Sequence, residues 1–222
     1  MPDDVLPKKK LIFPLEVLFE DEHLAVIHKP PGIQVSGNTF KTIANALKQN
    51  IASSSLDDST SPQPVHRLDY ATTGILLIGK TTSSIRALNK MFEEREIKKI
   101  YYAITIGKMN GNGEITAEID SKNSYTNYRV QQSVPSKRFG WLNLVELQPY
   151  TGRRHQLRKH LLSIGNPILG DKEYCNKNQV LRGKGLYLHA FSLEFTHPFT
   201  NDSLVLRDRL PEKFEKIFSL IK

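Results

Sequence analysis

The sequence predicts an α+β protein whose helices flank a mixed, largely antiparallel central sheet. Strand-like runs rich in Ile, Val, Tyr and Phe outnumber the helical patterns, and turn residues separate successive runs. Strands and helices do not alternate regularly, and no Gly-rich phosphate loop is visible, which argues against a doubly wound nucleotide-binding fold. We assign all 222 residues to a single domain, since this length fits one large domain.

The N-terminal part of the chain predicts an arm, two strands, a helix and a loop. Residues 1–14 include two prolines and three successive lysines, and we expect a loose arm. The stretch EVLFEDEHLAVIHKPPGIQV indicates two short strands around a turn, and TIANALKQN indicates a short helix. Residues 52–64 have the most loop-like composition, which suits a functional or mobile loop and a plain surface loop equally well.

The middle of the chain predicts a buried strand, a helix and a series of antiparallel strands. GILLIGK (residues 74–80) is apolar enough for a buried strand, and Thr and Ser residues can cap the helix TTSSIRALNKMFEERE that follows. IKKIYYAITIG (residues 97–107) predicts the next strand. GEITAEID, YTNYRVQQSV and GWLNLVELQPY follow as antiparallel strands.

The last third predicts two helices and a strand. RRHQLRKHLLSIGN (residues 153–166) indicates a helix that ends at Gly165, with Arg158 at the border of its buried face. LYLHAFSLEFTHP (residues 186–198) indicates a strand, and Pro211 can begin a final helix. The residues expected to face inward are Leu157, Leu161 and Ile164 on the first helix and Phe214, Ile217, Phe218 and Ile221 on the second.

Composition restricts the class of protein. Lys and Arg number 31 against 23 Asp and Glu, a net charge of +8, which favours an anionic partner such as RNA or DNA. No apolar run approaches the ~20 residues that cross a bilayer, and we expect a cytoplasmic protein without membrane contact. The single cysteine, Cys175, permits no intrachain disulfide and is expected to serve packing.

The sequence gives little support for a metal site or for a serine hydrolase. His155 and His160 lie five residues apart, about 140° around a helix, and therefore cannot easily chelate one ion. No Cys pair and no G-x-S-x-G turn is present. We expect neither a metal nor a cofactor.

Asp69 is the acid that the residues single out. It lies in PVHRLDYATTG (residues 64–74), after a polar loop and before the buried strand. Such a carboxylate could act as a nucleophile, a general base or a metal ligand, or could cap the turn at residues 71–74. This stretch alone leaves these roles open.

The order of several motifs along the chain resembles the RluA-type pseudouridine synthases. HRLD is followed by a Thr-Thr-Gly turn, then by the K-x-Y-x-A pattern in KIYYAI, then by TGRRHQLR and by GNPILGD. The resemblance covers residues 16–198 and departs from the usual pattern at Thr73, Gly79 and Arg154. It implies an enzyme that isomerises uridine in RNA without a cofactor. Some relatives carry an N-terminal RNA-binding domain, and we expect none here.

The resemblance also implies roles for individual residues. Asp69 is the catalytic carboxylate, Arg158 pairs with it and keeps it ionised, and Tyr101 stacks on the uracil and accepts a proton from the ring carbon. Arg67 takes the space of the extruded nucleotide, and Leu157 forms an apolar wall. The substrate-binding residues expected in all are Arg67, His66, Leu157, Arg153, Arg154 and Lys80, and Lys159 is a further candidate for phosphate contact.

Several alternatives remain open at this stage. A non-catalytic RNA-binding or ribosome-assembly factor could keep the same fold, and a nucleoside hydrolase could use Asp69 as its nucleophile. Ribosomal RNA and transfer RNA are both possible substrates. Asp69 could form a covalent sugar adduct or remove a sugar proton to give a glycal. We assume a monomer.

Overall fold

The computed structural model describes residues 11–181 and 183–218 and confirms the α+β fold class. Four short α-helices accompany the sheet within these residues, and single 3-10 turns occur at Leu47–Gln49 and Lys177–Gln179. The helices are α1 (Ile43–Ala46), α2 (Thr82–Glu93), α3 (Gln156–Ser163) and α4 (Glu212–Glu215). The strands are β1 (Glu16–Glu20), β2 (Leu24–Lys29), β3 (Ser59–Pro64), β4 (Thr73–Thr81), β5 (Lys98–Ile106), β6 (Asn112–Ile119), β7 (Lys122–Ser136), β8 (Gly140–Pro149), β9 (Leu188–Thr196) and β10 (Ser203–Arg207).

The sheet runs in the order β1-β2-β4-β9-β5-β8-β7-β6, with β3 on β4 and β10 on β9. Every pair described is antiparallel except the central pair of β4 and β9. That parallel pair is short, since it joins only Thr73 to His189 and Gly74 to Ala190. Beyond it β3 occupies the edge of β4 and β10 occupies the edge of β9. The sheet therefore divides into two halves that meet at the first residues of β4.

Gly74 permits this central contact. Its φ is +116°, a backbone conformation that L side chains rarely adopt, and a Cβ atom built there would lie 2.1 Å from the carbonyl oxygen of Ala190. The backbones of the two halves thus approach each other where only a glycine fits. The loop that carries Asp69 enters β4 immediately before this point.

We expect Gly74→Ala to destabilise the protein by at least about 3 kcal/mol, because the clash with backbone atoms adds to the strain of the positive φ. Urea unfolding followed by circular dichroism measures the change. Gly111→Ala is the matched control, because a Cβ atom there would meet nothing within 4 Å. Equal stability of the two variants would contradict this account of the junction.

Two hydrophobic clusters pack against the two halves of the sheet. The first contains Leu24, Ile27, Leu76 and Leu88, and the second contains Ile104, Leu144, Leu161 and Phe214. The side chain of Tyr101 contacts both clusters. The division of the sheet thus places Tyr101 between the two cores.

Some local predictions need correction. Half of the expected loop at residues 52–64 is the edge strand β3, since prolines are tolerated where an edge strand does not donate to the ladder. The strand β10 was not predicted, because its five residues lie in a polar segment. Ile164 follows the last residue of α3 and is 38% exposed, so its predicted inward position is wrong.

The two ends of the chain differ in part from expectation. Within the expected arm, residues 1–10 lie outside the described residues, but the following ones are attached. Asn50 Nδ2 donates to the carbonyl of Phe13, and Leu15 N donates to Asn50 Oδ1. At the C-terminus Phe214 and Phe218 are buried as predicted, α4 is a single turn, and Ile221 lies outside the described residues.

Candidate active site

A cavity of about 860 Å³ opens where the two halves of the sheet meet. Its walls come from the loop before β4, the end of α2, the strand β5 and the segment between β8 and α3. Asp69, Tyr101 and Leu157 all line it, as do Arg67, Arg153 and Arg154. Residues separated by almost 90 positions in sequence thus face one space.

The loop that carries Asp69 is tied to the core by Lys29. This lysine is fully buried, and its Nζ donates to the carbonyl of Pro30 at 3.0 Å and to that of Thr72 at 2.8 Å. Burial lowers the pKa of Lys29 to about 8, while the charge of Asp69 acts in the opposite direction. A buried cation therefore fixes the main chain on the C-terminal side of Asp69.

Arg158 lies beside Asp69 but is oriented by a different acid. Its Nη1 is 3.6 Å from Asp69 Oδ2, whereas Nε and Nη2 donate to the two oxygens of Asp171 at 2.7 and 2.8 Å. Burial alone would lower the pKa of Arg158, but the hydrogen bonds and charge of Asp171 outweigh it and raise the pKa above its usual value. The bidentate pair holds a permanent positive charge close to Asp69.

Asp171 is completely buried, and its partners compensate for that burial. Burial raises the pKa of its carboxyl, but Arg158 and the backbone amides of Glu173 and Tyr174 outweigh this effect, and the pKa is lowered. Those two amides donate to Oδ1 at 3.0 and 3.1 Å. The turn after α3 therefore acts as a support for Arg158.

His155 is the second basic group near the acid. Its backbone is left-handed at φ 55°, and its Nε2 lies 3.9 Å from Asp69 Oδ1. Its Nδ1 lies 3.0 Å from the hydroxyl of Tyr174 and 3.5 Å from Glu173 Oε1. Residues with positive φ other than glycine concentrate at functional sites, where surrounding contacts hold them.

The carboxylate of Asp69 remains available. Its side chain is 26% exposed, and no hydrogen bond to either carboxylate oxygen occurs within residues 11–181 and 183–218. The nearest cation is at ion-pair distance and not at hydrogen-bond distance. Both oxygens can therefore approach a bound molecule.

Tyr101 forms part of the apolar wall. It lies on β5 opposite Leu147 of β8 and Ala190 of β9. Burial, and then the charge of Asp69, raise the pKa of its phenol well above the usual value. Both effects favour the neutral phenol, and the role of proton acceptor that the resemblance implies for Tyr101 stays a prediction.

Five of the six predicted substrate-binding residues line the cavity: His66, Arg67, Arg153, Arg154 and Leu157. Arg67 and Arg154 are exposed, and Leu157 is buried in the wall. Arg153 is half-buried, and its Nε has no hydrogen-bond partner in the described part of the chain. Arg67 lies in the loop between β3 and β4.

The predictions for Lys80 and Lys159 need correction. Lys80 is 3% exposed, lies outside the cavity, and donates to Glu20 Oε1 and the carbonyl of Asp21. Its role is to join β4 to the end of β1. Lys159 points to Asp120 at 3.3 Å and also lies outside the cavity. Neither lysine is placed to contact a molecule bound beside Asp69.

His66 lines the cavity but serves the backbone. Its Nε2 accepts a hydrogen bond from Leu77 N at 3.0 Å, and its ring lies 4.7 Å from that of Phe92. Burial, and then the charge of Lys99, lower its pKa to about 3. The ring is therefore neutral and holds the loop onto β4.

This low pKa predicts acid sensitivity. The unfolded chain protonates His66 near pH 6.5, whereas the folded protein does so only near 3, so stability falls as pH drops below about 6.5. We expect His66→Gln to reduce the loss of unfolding free energy between pH 7 and about 4.5, because the amide oxygen can still accept from Leu77 N. Urea titrations at both pH values measure it. An unchanged loss would contradict a neutral buried ring.

Several functional residues were missed by the sequence argument. Lys29, His155, Asp171 and Glu173 were given no role, although Asp171 is the acid of the GNPILGD motif. That motif was the one signal that could have identified Asp171.

Within the residues described, no group of three or more His, Cys, Asp or Glu is arranged to hold a metal. Among these residues no helix has the length and apolarity needed to cross a bilayer.

Comparisons with known proteins agree on one family. The family model described as RNA pseudouridylate synthase matches residues 23–163. Ribosomal large subunit pseudouridine synthase D from Nitrosomonas europaea is 34% identical over 94% of this chain, which spans 66% of that relative's length. Dual-specificity RNA pseudouridine synthase RluA from Haemophilus influenzae is 34% identical over 86% of this chain and 90% of its own.

A solved structure shares the same architecture. Human RNA pseudouridylate synthase domain containing 4 has a TM-score of 0.70 to this chain at 27% identity. The match covers 90% of each chain. The likeness therefore extends over most of the chain.

Proposed function

The chain belongs to the RNA pseudouridine synthase family, a family of isomerases, and we propose that it converts uridine in RNA to pseudouridine with Asp69 as the catalytic carboxylate. The observation that carries the proposal is the free carboxylate of Asp69 in a large cavity, 3.6 Å from the fixed charge of Arg158. A carboxylate held in this way can act on the ribose of a nucleotide that enters the cavity.

The chemistry needs few groups. The bond between ribose C1′ and uracil N1 breaks, the base turns, and C1′ joins C5, which then loses its proton while N1 gains one. Asp69 acts at the sugar, and Arg158 stabilises its negative charge before and after this step. The detached uracil needs apolar contacts that hold it without a covalent bond, and the buried side chain of Leu157 and the partly buried ring of Tyr101 supply them.

The proton on C5 needs an acceptor, and Tyr101 is the residue for which the resemblance implies this role. The raised pKa of its phenol makes the phenolate rare in the free protein. Within our proposal Tyr101 packs against the base. The negative charge of Asp69 contributes to the raised pKa of Tyr101.

The proposed RNA binding rests on three arginines of the cavity that form no ion pair among the described residues. Arg67, Arg153 and Arg154 can contact phosphates around an extruded uridine. The buried Nε of Arg153 has no hydrogen-bond acceptor among the described residues. The relatives are named for ribosomal large-subunit RNA and for dual specificity. Large-subunit ribosomal RNA is therefore the first substrate to test, and transfer RNA the second.

The direct test is product analysis with the purified protein. Ribosomal and transfer RNA carrying labelled uridine are incubated with it, digested to nucleosides and separated by chromatography. Our proposal expects pseudouridine and no free uracil. Release of free uracil would identify a hydrolase, and unmodified uridine in both RNAs would contradict the proposed isomerisation.

A further inference from the structure

One wall of the cavity carries two cations that have no ion-pair partner in the described part of the chain. Arg95 follows the end of α2, and Lys99 lies on β5 two residues before Tyr101. Residues i and i+2 of a strand share a face and lie about 7 Å apart, so Lys99 is a close neighbour of Tyr101. The two cations thus line the same cavity as Asp69 and Tyr101.

The positive charges of Arg95 and Lys99 lie close enough to repel each other. Burial, and then the positive charge of Arg95, lower the pKa of Lys99. The Lys99 ammonium also lies 5.9 Å from the ring of Phe92, which fixes its direction. Arg95 has a left-handed backbone with φ 63°, an uncommon conformation for a residue other than glycine. Arg95 and Lys99 form no ion pair among the described residues, and two neighbouring cations of this kind make a site that an anion would stabilise.

A smaller pocket of about 100 Å³ continues the cavity at this wall. Arg95, Lys99 and Tyr150 line both spaces. Tyr150 is 39% exposed. Two contacts fix its ring: its hydroxyl accepts a hydrogen bond from Asn127 Nδ2 at 3.3 Å, and the ring centre lies 5.0 Å from that of Tyr125. A fixed, exposed aromatic ring beside two cations matches a nucleotide, with its flat base and its phosphate.

We propose that Arg95, Lys99 and Tyr150 form a second nucleotide subsite, which binds the RNA nucleotide adjoining the target uridine through its phosphate and its base. The inference rests on the proposed function for the identity of the strand. The phosphate lies between the two cations, and the base stacks on Tyr150. The subsite fixes the strand beside the extruded uridine without touching the reacting atoms.

The cations are tested with Arg95→Asn, which tolerates the left-handed backbone, and Lys99→Met, which keeps the apolar stem. A fluorescein-labelled RNA stem-loop with uridine in its loop is titrated by anisotropy at several salt concentrations. Each variant should bind about tenfold more weakly at about 0.1 M salt, and the slope of log affinity against log salt should fall by nearly one unit.

The controls distinguish the effect of losing the subsite from the effect of losing one positive charge anywhere on the protein. Arg86→Gln removes an exposed charge from α2 outside the cavity and should leave affinity and slope unchanged. Arg95→Lys should retain most of the affinity. Equal losses in Arg86→Gln and Arg95→Asn, or wild-type slopes in Arg95→Asn and Lys99→Met, would overturn the phosphate contact.

The base contact is tested with Tyr150→Ala and with stem-loops that carry an abasic residue on either side of the target. The variant should lose about tenfold in affinity for intact RNA, and much less for RNA abasic at the stacked position. Equal losses on all RNAs would overturn stacking.

Binding is measured without turnover, so the two proposals can fail separately. A protein that binds in this pattern but makes no pseudouridine contradicts only the proposed function. A protein that makes pseudouridine while all variants bind normally contradicts only the subsite.

Discussion

We expect Asp69→Asn to lower the rate of the proposed isomerisation by at least about a thousandfold, because the amide has neither the charge nor the nucleophilicity of the carboxylate. The protein should remain folded, since the side chain is partly exposed and makes no hydrogen bond among the described residues. The RNA affinity should be equal or higher, because a negative charge is removed from a basic cavity. Tritium release from RNA labelled at uracil C5 measures the rate, and anisotropy measures binding.

Glu93→Gln provides the matched control for Asp69. It removes another carboxylate from the same cavity, on the wall formed by α2, and should change the turnover rate by no more than about twofold. Near-normal tritium release by Asp69→Asn would remove Asp69 from the catalytic role. Cellular complementation by this inactive variant would instead support an RNA-binding or assembly function that needs no catalysis.

Arg158→Met should cost about 3–5 kcal/mol of folding free energy and abolish activity, because it leaves Asp171 buried and without its counter-charge. Arg158→Lys keeps a charge but not the bidentate geometry, and should lose less stability yet reduce the turnover rate by about a hundredfold or more. Urea unfolding and tritium release separate the two effects.

A double variant divides the structural role of Arg158 from its catalytic role. In Arg158→Met/Asp171→Asn the buried charge is gone, while the remaining Oδ1 can still accept from the amides of Glu173 and Tyr174. We expect most of the lost stability to return and the activity to stay absent. Recovery of activity together with stability would show that Arg158 acts only through folding. Arg86→Met, at an exposed position, is the control for loss of an arginine.

The local patterns of the sequence predicted most of the fold. Strand-like runs, N-cap residues before α2 and the apolar stripe of α3 depend on neighbours within a few residues, and these elements are confirmed. The failures were segments whose structure depends on distant partners. β3 is a strand because β4 offers it an edge, despite its Ser, Thr and Pro residues, and β10 forms because β9 has a free edge beyond the junction.

The motif order predicted the family, which the comparisons confirm. Asp69 and Tyr101 line one cavity and Arg158 lies 3.6 Å from Asp69, which is consistent with it. Their catalytic roles remain predictions, which the variants above test. Motif order could not assign the partner that orients Arg158, because that depends on which carboxylate the fold brings to hydrogen-bond distance. Asp171 is that carboxylate, and Asp69 lies farther away.

The sequence by itself determined the fold class, the family and the identity of the candidate catalytic acid, because these depend on residue patterns that can be found along a single chain. Only the tertiary structure decided which charges are available. It buried Lys80 against Glu20 and Lys29 beneath the Asp69 loop, and among the described residues it left Arg95 and Lys99 on one wall of the cavity without an ion pair. A cation acts on RNA only if no carboxylate or carbonyl of its own protein already holds it, and the packing of distant segments decides that.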